Sequence, residues 1–184
     1  MAKKLTLDRE DTVLVVVDVQ ERLLPVIHGH EALLANIVRL VRGAQILEVP
    51  VICSEQYPKG LGPTVGQLAE ALAGVDRQEK ITFSCLRDDG LARTLENTGK
   101  STLLVCGIES HVCVTQTVLD AIEKGLSVHV AADAVSSRSP ENKRTALERL
   151  AAAGATITST ESALFELLGR AGTEQFKAIS RLVK

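Results

Sequence analysis

Thr12-Val13-Leu14-Val15-Val16-Val17-Asp18 is a run of aliphatic, mostly β-branched residues closed by a carboxylate. No polar residue interrupts Val13 to Val17, so both faces of the segment must be covered, as in the centre of a parallel sheet. The pattern then changes period. From Glu31 to Leu47 the residues Leu33, Leu34, Ile37, Val38, Leu40, Val41 and Ala44 recur at helical spacing. Pro50-Val51-Ile52-Cys53-Ser54 is strand-like again, with its proline at the start, where the missing N–H matters least. Strand, helix and strand in this order predict parallel strands joined by crossover helices.

The alternation continues outward from there. Val65 to Leu72 and Gly90 to Asn97 read as short helices, and Gln78 to Phe83 as a brief extended segment. Ser101 to Cys106 is the third main strand, feeding a helix from His111 to Lys124 that Gly125 stops. Ser127 to Ala132 and Ala155 to Thr158 are further strands around a helix from Glu141 to Ala153, and helices Ser162 to Leu168 and Thr173 to Val183 follow. Between them Glu55 to Pro63, with two prolines and two glycines, reads as a loop that walls a site. No linker, repeat or low-complexity tract divides residues 1–184. The expectation is one α/β domain, a three-layer sandwich whose mostly parallel sheet is flanked by helices in a Rossmann-like topology.

Composition narrows the function classes. A chain of 184 residues can bury about two-thirds of its unfolded surface without staples. With three Phe, one Tyr and no Trp, its core must be built of Ala, Leu and Val. A net charge of -2 provides no general attraction to nucleic acid or to an anionic membrane. No stretch has the ~18 unbroken apolar residues of a membrane span, and the N-terminal Met1-Ala2-Lys3-Lys4 lacks the apolar run of a signal peptide. Cys53, Cys85, Cys106 and Cys113 form no CxxC pair, so reduced thiols in a cytoplasm are expected.

Ligands of such sheets sit beyond the carboxyl ends of the strands, where the winding direction switches. Three ionisable groups fall there. Asp18 closes the first strand, Lys80 lies in Gln78-Glu79-Lys80-Ile81-Thr82-Phe83, and Cys113 follows the strand Leu103-Leu104-Val105-Cys106 and the turn Gly107-Ile108-Glu109. A cysteine in the first helical turn meets unpaired N–H groups, which favour thiolate. Asp18 would take the thiol proton as general base, with Lys80 holding it in place. Each residue also has an ordinary structural reading. A cysteine between strand and helix is commonly a small core residue, an aspartate at a strand end a cap, and a lysine after Glu79 a solvated charge.

Val17-Asp18-Val19-Gln20, Glu79-Lys80-Ile81-Thr82-Phe83-Ser84 and Gly107-Ile108-Glu109-Ser110-His111-Val112-Cys113-Val114, arriving in this order, resemble the motifs of the isochorismatase-like cysteine hydrolases. The likeness covers nearly the whole chain. It extends to Ser54-Glu55-Gln56-Tyr57-Pro58-Lys59-Gly60-Leu61-Gly62 and to Ser162-Ala163-Leu164-Phe165-Glu166-Leu167-Leu168, which look most like the small isochorismatase-domain-containing proteins. The resemblance implies a catalytic triad of Asp18, Lys80 and Cys113, a cis peptide between Ile108 and Glu109, and oxyanion donors at the Glu109 and Cys113 backbone. It implies a hydrolase of small carboxamides or related acyl compounds that forms a homo-oligomer, a dimer or larger, and needs no cofactor.

Departures from the family pattern matter equally. The resemblance implies an Asp-His-His metal cluster after the second strand in nicotinamidases, whereas Ser54-Glu55-Gln56-Tyr57 has no histidine there. No metal site and no nicotinamide substrate are therefore expected. Family isochorismatases tend to lack the cysteine, so Cys113 argues for an acyl or amide substrate. Gln20, Leu24, Tyr57, Phe83 and His111 are the pocket candidates by their position beside the motifs. His28-Gly29-His30 reads as a solvated turn, for no third ligand is near. Gly60-Leu61-Gly62 continues as GxGxxxG rather than GxGxxG, and no GxSxG elbow occurs, which disfavours a dinucleotide enzyme and a serine hydrolase. A rival reading uses the same thiol as a redox sensor or partner-binding switch; no other cysteine has a sequence position that demands a resolving role, though Cys85, a few residues past Lys80, could approach.

Overall fold

Every residue of strand β1 (Thr12–Val17) is buried, and the strand pairs in parallel on both sides, as its unbroken apolar run requires. The structure, a computed structural model, describes residues 4–184; the Met1–Lys3 part of the N-terminal reading lies outside the described residues. After β1 come α1 (His30–Ile46), β2 (Val51–Gln56), α2 (Pro58–Leu61), α3 (Gly66–Ala71) and β3 (Arg77–Lys80). The second half adds α4 (Asp89–Asn97), β4 (Thr102–Ile108), α5 (Thr115–Glu123), β5 (Ser127–Ser136), α6 (Pro140–Ala153), β6 (Thr156–Thr158), α7 (Thr160–Leu168) and α8 (Glu174–Leu182). The six strands form one parallel sheet in the order β3-β2-β1-β4-β5-β6. This is the single-domain, helix-flanked α/β architecture expected from the alternating pattern.

Strand periodicity sorts the core into two layers. Leu14 and Val16 of β1 and Leu104, Cys106 and Ile108 of β4 face α1, α3, α7 and α8, packing with Leu33, Ile37, Leu40, Leu68 and Leu164. Val13, Val15, Val17, Leu103 and Val105 face the other way, against Leu91, Leu95, Val118, Ala121 and Leu150 of α4, α5 and α6. Each such leucine contributes about 1.5–3 kcal/mol by burial, so aliphatic side chains hold a sandwich nearly devoid of aromatics. The Phe165–Phe176 ring pair, 6.4 Å between centroids, ties α7 to α8.

Two strands run further than their apolar patterns suggest. β4 continues through Gly107 to Ile108, and β5 through Asp133 to Ser136, because pairing resumes after a register shift between Val105 and Gly107. The expected loop from Glu55 also begins as strand, with β2 reaching Gln56, and then holds the short α2.

Asp11 ties the amino-terminal ends of β1 and β4 together. Its carboxylate accepts from Ser101 N at 2.9 Å, Ser101 Oγ at 2.6 Å and Thr102 Oγ1 at 3.1 Å, and it pairs with Lys4 Nζ at 2.9 Å. Burial works to raise this carboxyl, but the hydrogen bonds from Ser101 and Lys4 outweigh it and hold the group well below the usual carboxylate range. A folded-state value below the unfolded one means that the stabilisation is present above about 3.8 and is lost as pH falls through the folded value. Asp11→Ala is expected to cost about 1–3 kcal/mol at neutral pH. Urea unfolding should show that deficit shrinking in strongly acidic buffer; a deficit independent of pH would refute the account.

Candidate active site

The chain winds from β1 outward to β2 and β3, then returns to place β4 on the other side of β1. Connections leave β1 and β4 in opposite directions, so a crevice opens beyond their carboxyl ends. Asp18 is the first residue past β1. Its φ of 53° lies in the left-handed region, sparsely populated by residues other than glycine, and it is fully buried. Lys80 ends β3, paired in register with Gln56, and is 2% exposed.

A lysine this deeply buried must find partners for its charge and its donors. Lys80 Nζ donates to Asp18 Oδ2 at 2.7 Å, to Gln56 Oε1 at 2.7 Å, and to the carbonyls of Thr82 at 3.1 Å and Phe83 at 3.0 Å. The three ammonium donors therefore have four protein acceptors. The other Asp18 oxygen, Oδ1, accepts from Ser54 Oγ at 2.7 Å, and Ser54 Oγ in turn receives the Cys85 thiol at 3.5 Å. Asp18, Ser54, Lys80 and Cys85 thus form one dry polar network beneath the crevice.

β4 delivers the thiol. At Gly107, φ is 115° and an added Cβ would lie 2.1 Å from Val17 O, so only glycine lets β4 pass β1 here. The Ile108–Glu109 peptide is cis. A single π turn, Ser110–Val114, then leads into α5, where a regular helix from His111 was expected. Val112 N and Val114 N both donate to Glu109 O, at 3.1 and 3.3 Å, and Thr115 Oγ1 donates to Ser110 O at 2.6 Å. Cys113 sits in this turn at 6% exposure. The Glu109 carboxylate is anchored from outside by Arg138 N at 2.9 Å and Arg138 Nε at 3.2 Å.

The expectation that a helix start would favour thiolate at Cys113 is corrected by its surroundings. Burial first, and then the charge of Asp18, push the thiol up; Lys80 pulls it down but does not win. Helix-terminus fields fall off within one turn, whereas desolvation and an adjacent anion act on the sulfur directly. These surroundings therefore favour the protonated thiol over the thiolate. Burial raises Cys53 to about 12 and pushes Cys85 and Cys106 up as well.

The pocket candidates separate by environment. Gln20 is fully buried, and its amide straps the end of β2 to the turn at Gly62: Nε2 donates to Gln56 O at 3.0 Å and Gly62 O at 2.7 Å, while Oε1 accepts from Gln56 N at 2.8 Å. Leu24 packs into the α1-side core. His111 is half-buried, its Nδ1 2.9 Å from Ser137 Oγ and its Nε2 3.4 Å from Asn142 Nδ2. Tyr57 and Phe83 are each more than half exposed. Tyr57 N donates to Lys80 O, and the tyrosine ring lies where a side chain at Gly60 would be. Both aromatics flank the segment that wraps the Lys80 ammonium.

Reasoning from sequence missed Ser54, Gln56 and Arg138. Ser54 and Gln56 stood in the stretch examined for a metal cluster, and the side-chain period of β2 puts them on one face. Nothing in the chain signalled Arg138. In place of ligands, Gln56 bonds Lys80 and Ile81 O, and Glu55 accepts from Thr64 N at 2.7 Å. Among the described residues no three His, Cys, Asp or Glu side chains gather as a metal site.

Fold and site together define a parallel α/β protein with a carboxylate–ammonium pair and a cysteine at its switch point. The isochorismatase domain model matches residues 12–162, and the chain belongs to that family. It is 42% identical over 184 residues to the secreted isochorismatase effector Isc1 of Phytophthora sojae, covering 94% of this chain and 84% of that protein. A structure described as MAR1 ribonuclease from Caenorhabditis elegans superposes with a TM-score of 0.90 at 36% identity, over 97% of this chain and 92% of that one. YcaC from Pseudomonas aeruginosa, solved with hexane-2,5-diol and covalent acrylamide, gives a TM-score of 0.90 at 26% identity, with the same coverage. No helix among the described residues is long and apolar enough to cross a membrane.

Proposed function

We propose that the protein is a cysteine hydrolase that cleaves a small, uncharged carboxamide or related acyl compound through a covalent intermediate at Cys113. The observation that carries this reading is the fully buried Lys80–Asp18 pair acting on the Cys113 thiol. Such a pair is weak evidence for stability alone, because desolvating both charges offsets much of their attraction. Orienting a base beside a nucleophile explains its presence better.

In the proposed reaction Cys113 Sγ attacks the carbonyl carbon while Asp18 takes the thiol proton. The oxyanion is met by the backbone N–H groups of Glu109 and Cys113. Asp18 returns the proton to the leaving nitrogen as the C–N bond breaks, leaving a thioester. Water then attacks the thioester, giving its proton to Asp18, and the acid departs as the thiol re-forms. Lys80 holds Asp18 and touches no substrate, since its donors are all engaged within the protein. With Arg138 bound to Glu109 and Lys80 to Asp18, no buried cation among the described residues stands ready for a carboxylate, which supports an uncharged substrate. Tyr57 and Phe83 form the proposed rim, with His111 beside it. A cytoplasmic setting, supported by four free buried thiols, and self-association as a dimer or larger belong to the same proposal.

Two measurements test it. Screening an amide and acyl panel by mass spectrometry should reveal an adduct or acyl-enzyme at Cys113 together with turnover. Oxidation by peroxide without turnover would favour the sensor, and cleavage of RNA would favour the activity named for the nematode relative. Because the thiol is pushed up, the thiolate ultraviolet absorbance lost in Cys113→Ala should appear only as pH rises above 9.0. A thiolate already present at neutral pH would replace the general-base step with a preformed nucleophile.

A further inference from the structure

We infer that Ser54 is a positioning residue for this site, aligning Asp18 to receive the Cys113 proton; the inference rests on the cysteine-hydrolase reading. A carboxylate held by one partner can still pivot about its bond to the chain, which would take its free lone pairs off the sulfur. Asp18 is held at both oxygens, Oδ2 by Lys80 and Oδ1 by Ser54, each at 2.7 Å. A hydroxyl has one proton and two lone pairs. Cys85 S–H, at 3.5 Å, occupies a lone pair of Ser54 Oγ, which leaves the serine proton directed at Asp18. Backbone geometry supports the same clamp: Asp18 N donates to Ser54 O at 3.2 Å, and Ser54 is paired in register with Val17.

Ser54 has no exposure, so water has no access to replace its bond to the carboxylate. The lone pairs of Asp18 not engaged by Ser54 and Lys80 remain for the thiol. Cys85 has an assignment in this arrangement: it is the outer donor of a Cys85–Ser54–Asp18 chain, and its thiol is engaged there.

The test is the rate of acrylamide addition to Cys113 at neutral pH, followed by intact-protein mass spectrometry. In that addition sulfur bonds to the terminal alkene carbon, and the thiol proton passes through Asp18 to the neighbouring carbon. Ser54→Ala should slow the addition at neutral pH by roughly tenfold, the effect of losing one charge-assisted hydrogen bond. Ser54→Thr, which keeps the hydroxyl, should restore the rate. An unchanged Ser54→Ala rate overturns the inference, as does a Ser54→Thr protein as slow as the alanine variant, which would assign the effect to packing. If Cys113 of the unaltered protein adds acrylamide no faster than the other three thiols, the hydrolase reading falls and the inference with it.

Discussion

Replacing Cys113 by alanine is expected to abolish adduct formation and to lower turnover on any accepted substrate by at least about a thousandfold. The fold should tolerate the change. Cys113 is one side chain at the rim of the layer built by Val13, Val15, Val17 and Val105, and truncating it to alanine removes only the sulfur. The protonated thiol carries no charge for burial or Asp18 to penalise, so its removal should change the melting temperature by a few degrees at most. Cys113→Ser is the sharper variant. Its hydroxyl is a weaker nucleophile with the same neighbours, so turnover should fall there too, while turnover retained by Cys113→Ala would show that attack does not come from this position. Rates on the panel compound, with thermal melts of all three proteins, decide the matter.

The second large effect is on stability. Lys80→Met keeps the length and bulk of the side chain but leaves Asp18 buried without its cation, together with the unpaired carbonyls of Thr82 and Phe83. Breaking one partner from a buried pair costs about 3–5 kcal/mol, because the remaining charge is uncompensated. Urea unfolding should register that loss as a lowered midpoint with an unchanged slope. Asp18→Asn combined with Lys80→Met should recover part of it, since no lone charge then remains in the dry network. A single-variant loss under about 1 kcal/mol would mean that the pair behaves as a solvated one, and Lys80 would lose its assigned role.

The two predictions lean on different links of the argument. Cys113 tests chemistry at a residue whose surroundings keep it protonated. Lys80 tests whether the segment from β3 to Phe83 is organised by one ammonium. A failure at Cys113 takes the Ser54 inference with it, whereas the Ser54 clamp, which concerns only how Asp18 is aimed, can fail while both of these stand.

Much of the architecture was legible from local pattern. An unbroken apolar run such as Thr12–Val17 has one stable place in a small protein, between two helical layers, and the helical period of α1 says which face it presents. The ends of β4 and β5 were not legible. Gly107 and Asp133 interrupt the apolar pattern, and only pairing with neighbouring strands carries the backbone past them. The π turn at Ser110 escaped for a similar reason, because a helical period over five residues does not distinguish one hydrogen-bond pattern from another.

By itself the sequence determined the alternating fold, the family and the three places at or beyond strand ends where Asp18, Lys80 and Cys113 fall, because these follow from periodicity and from short motifs along the chain. Tertiary structure alone decided the rest. That Ser54 and Gln56 hold the charged pair, that Gln20 is a strap and Leu24 a core residue, and that the thiol rests protonated all depend on which groups meet once water is excluded. Electrostatic effects on a sulfur are set by distance and burial in three dimensions, and neither quantity is written in the order of residues.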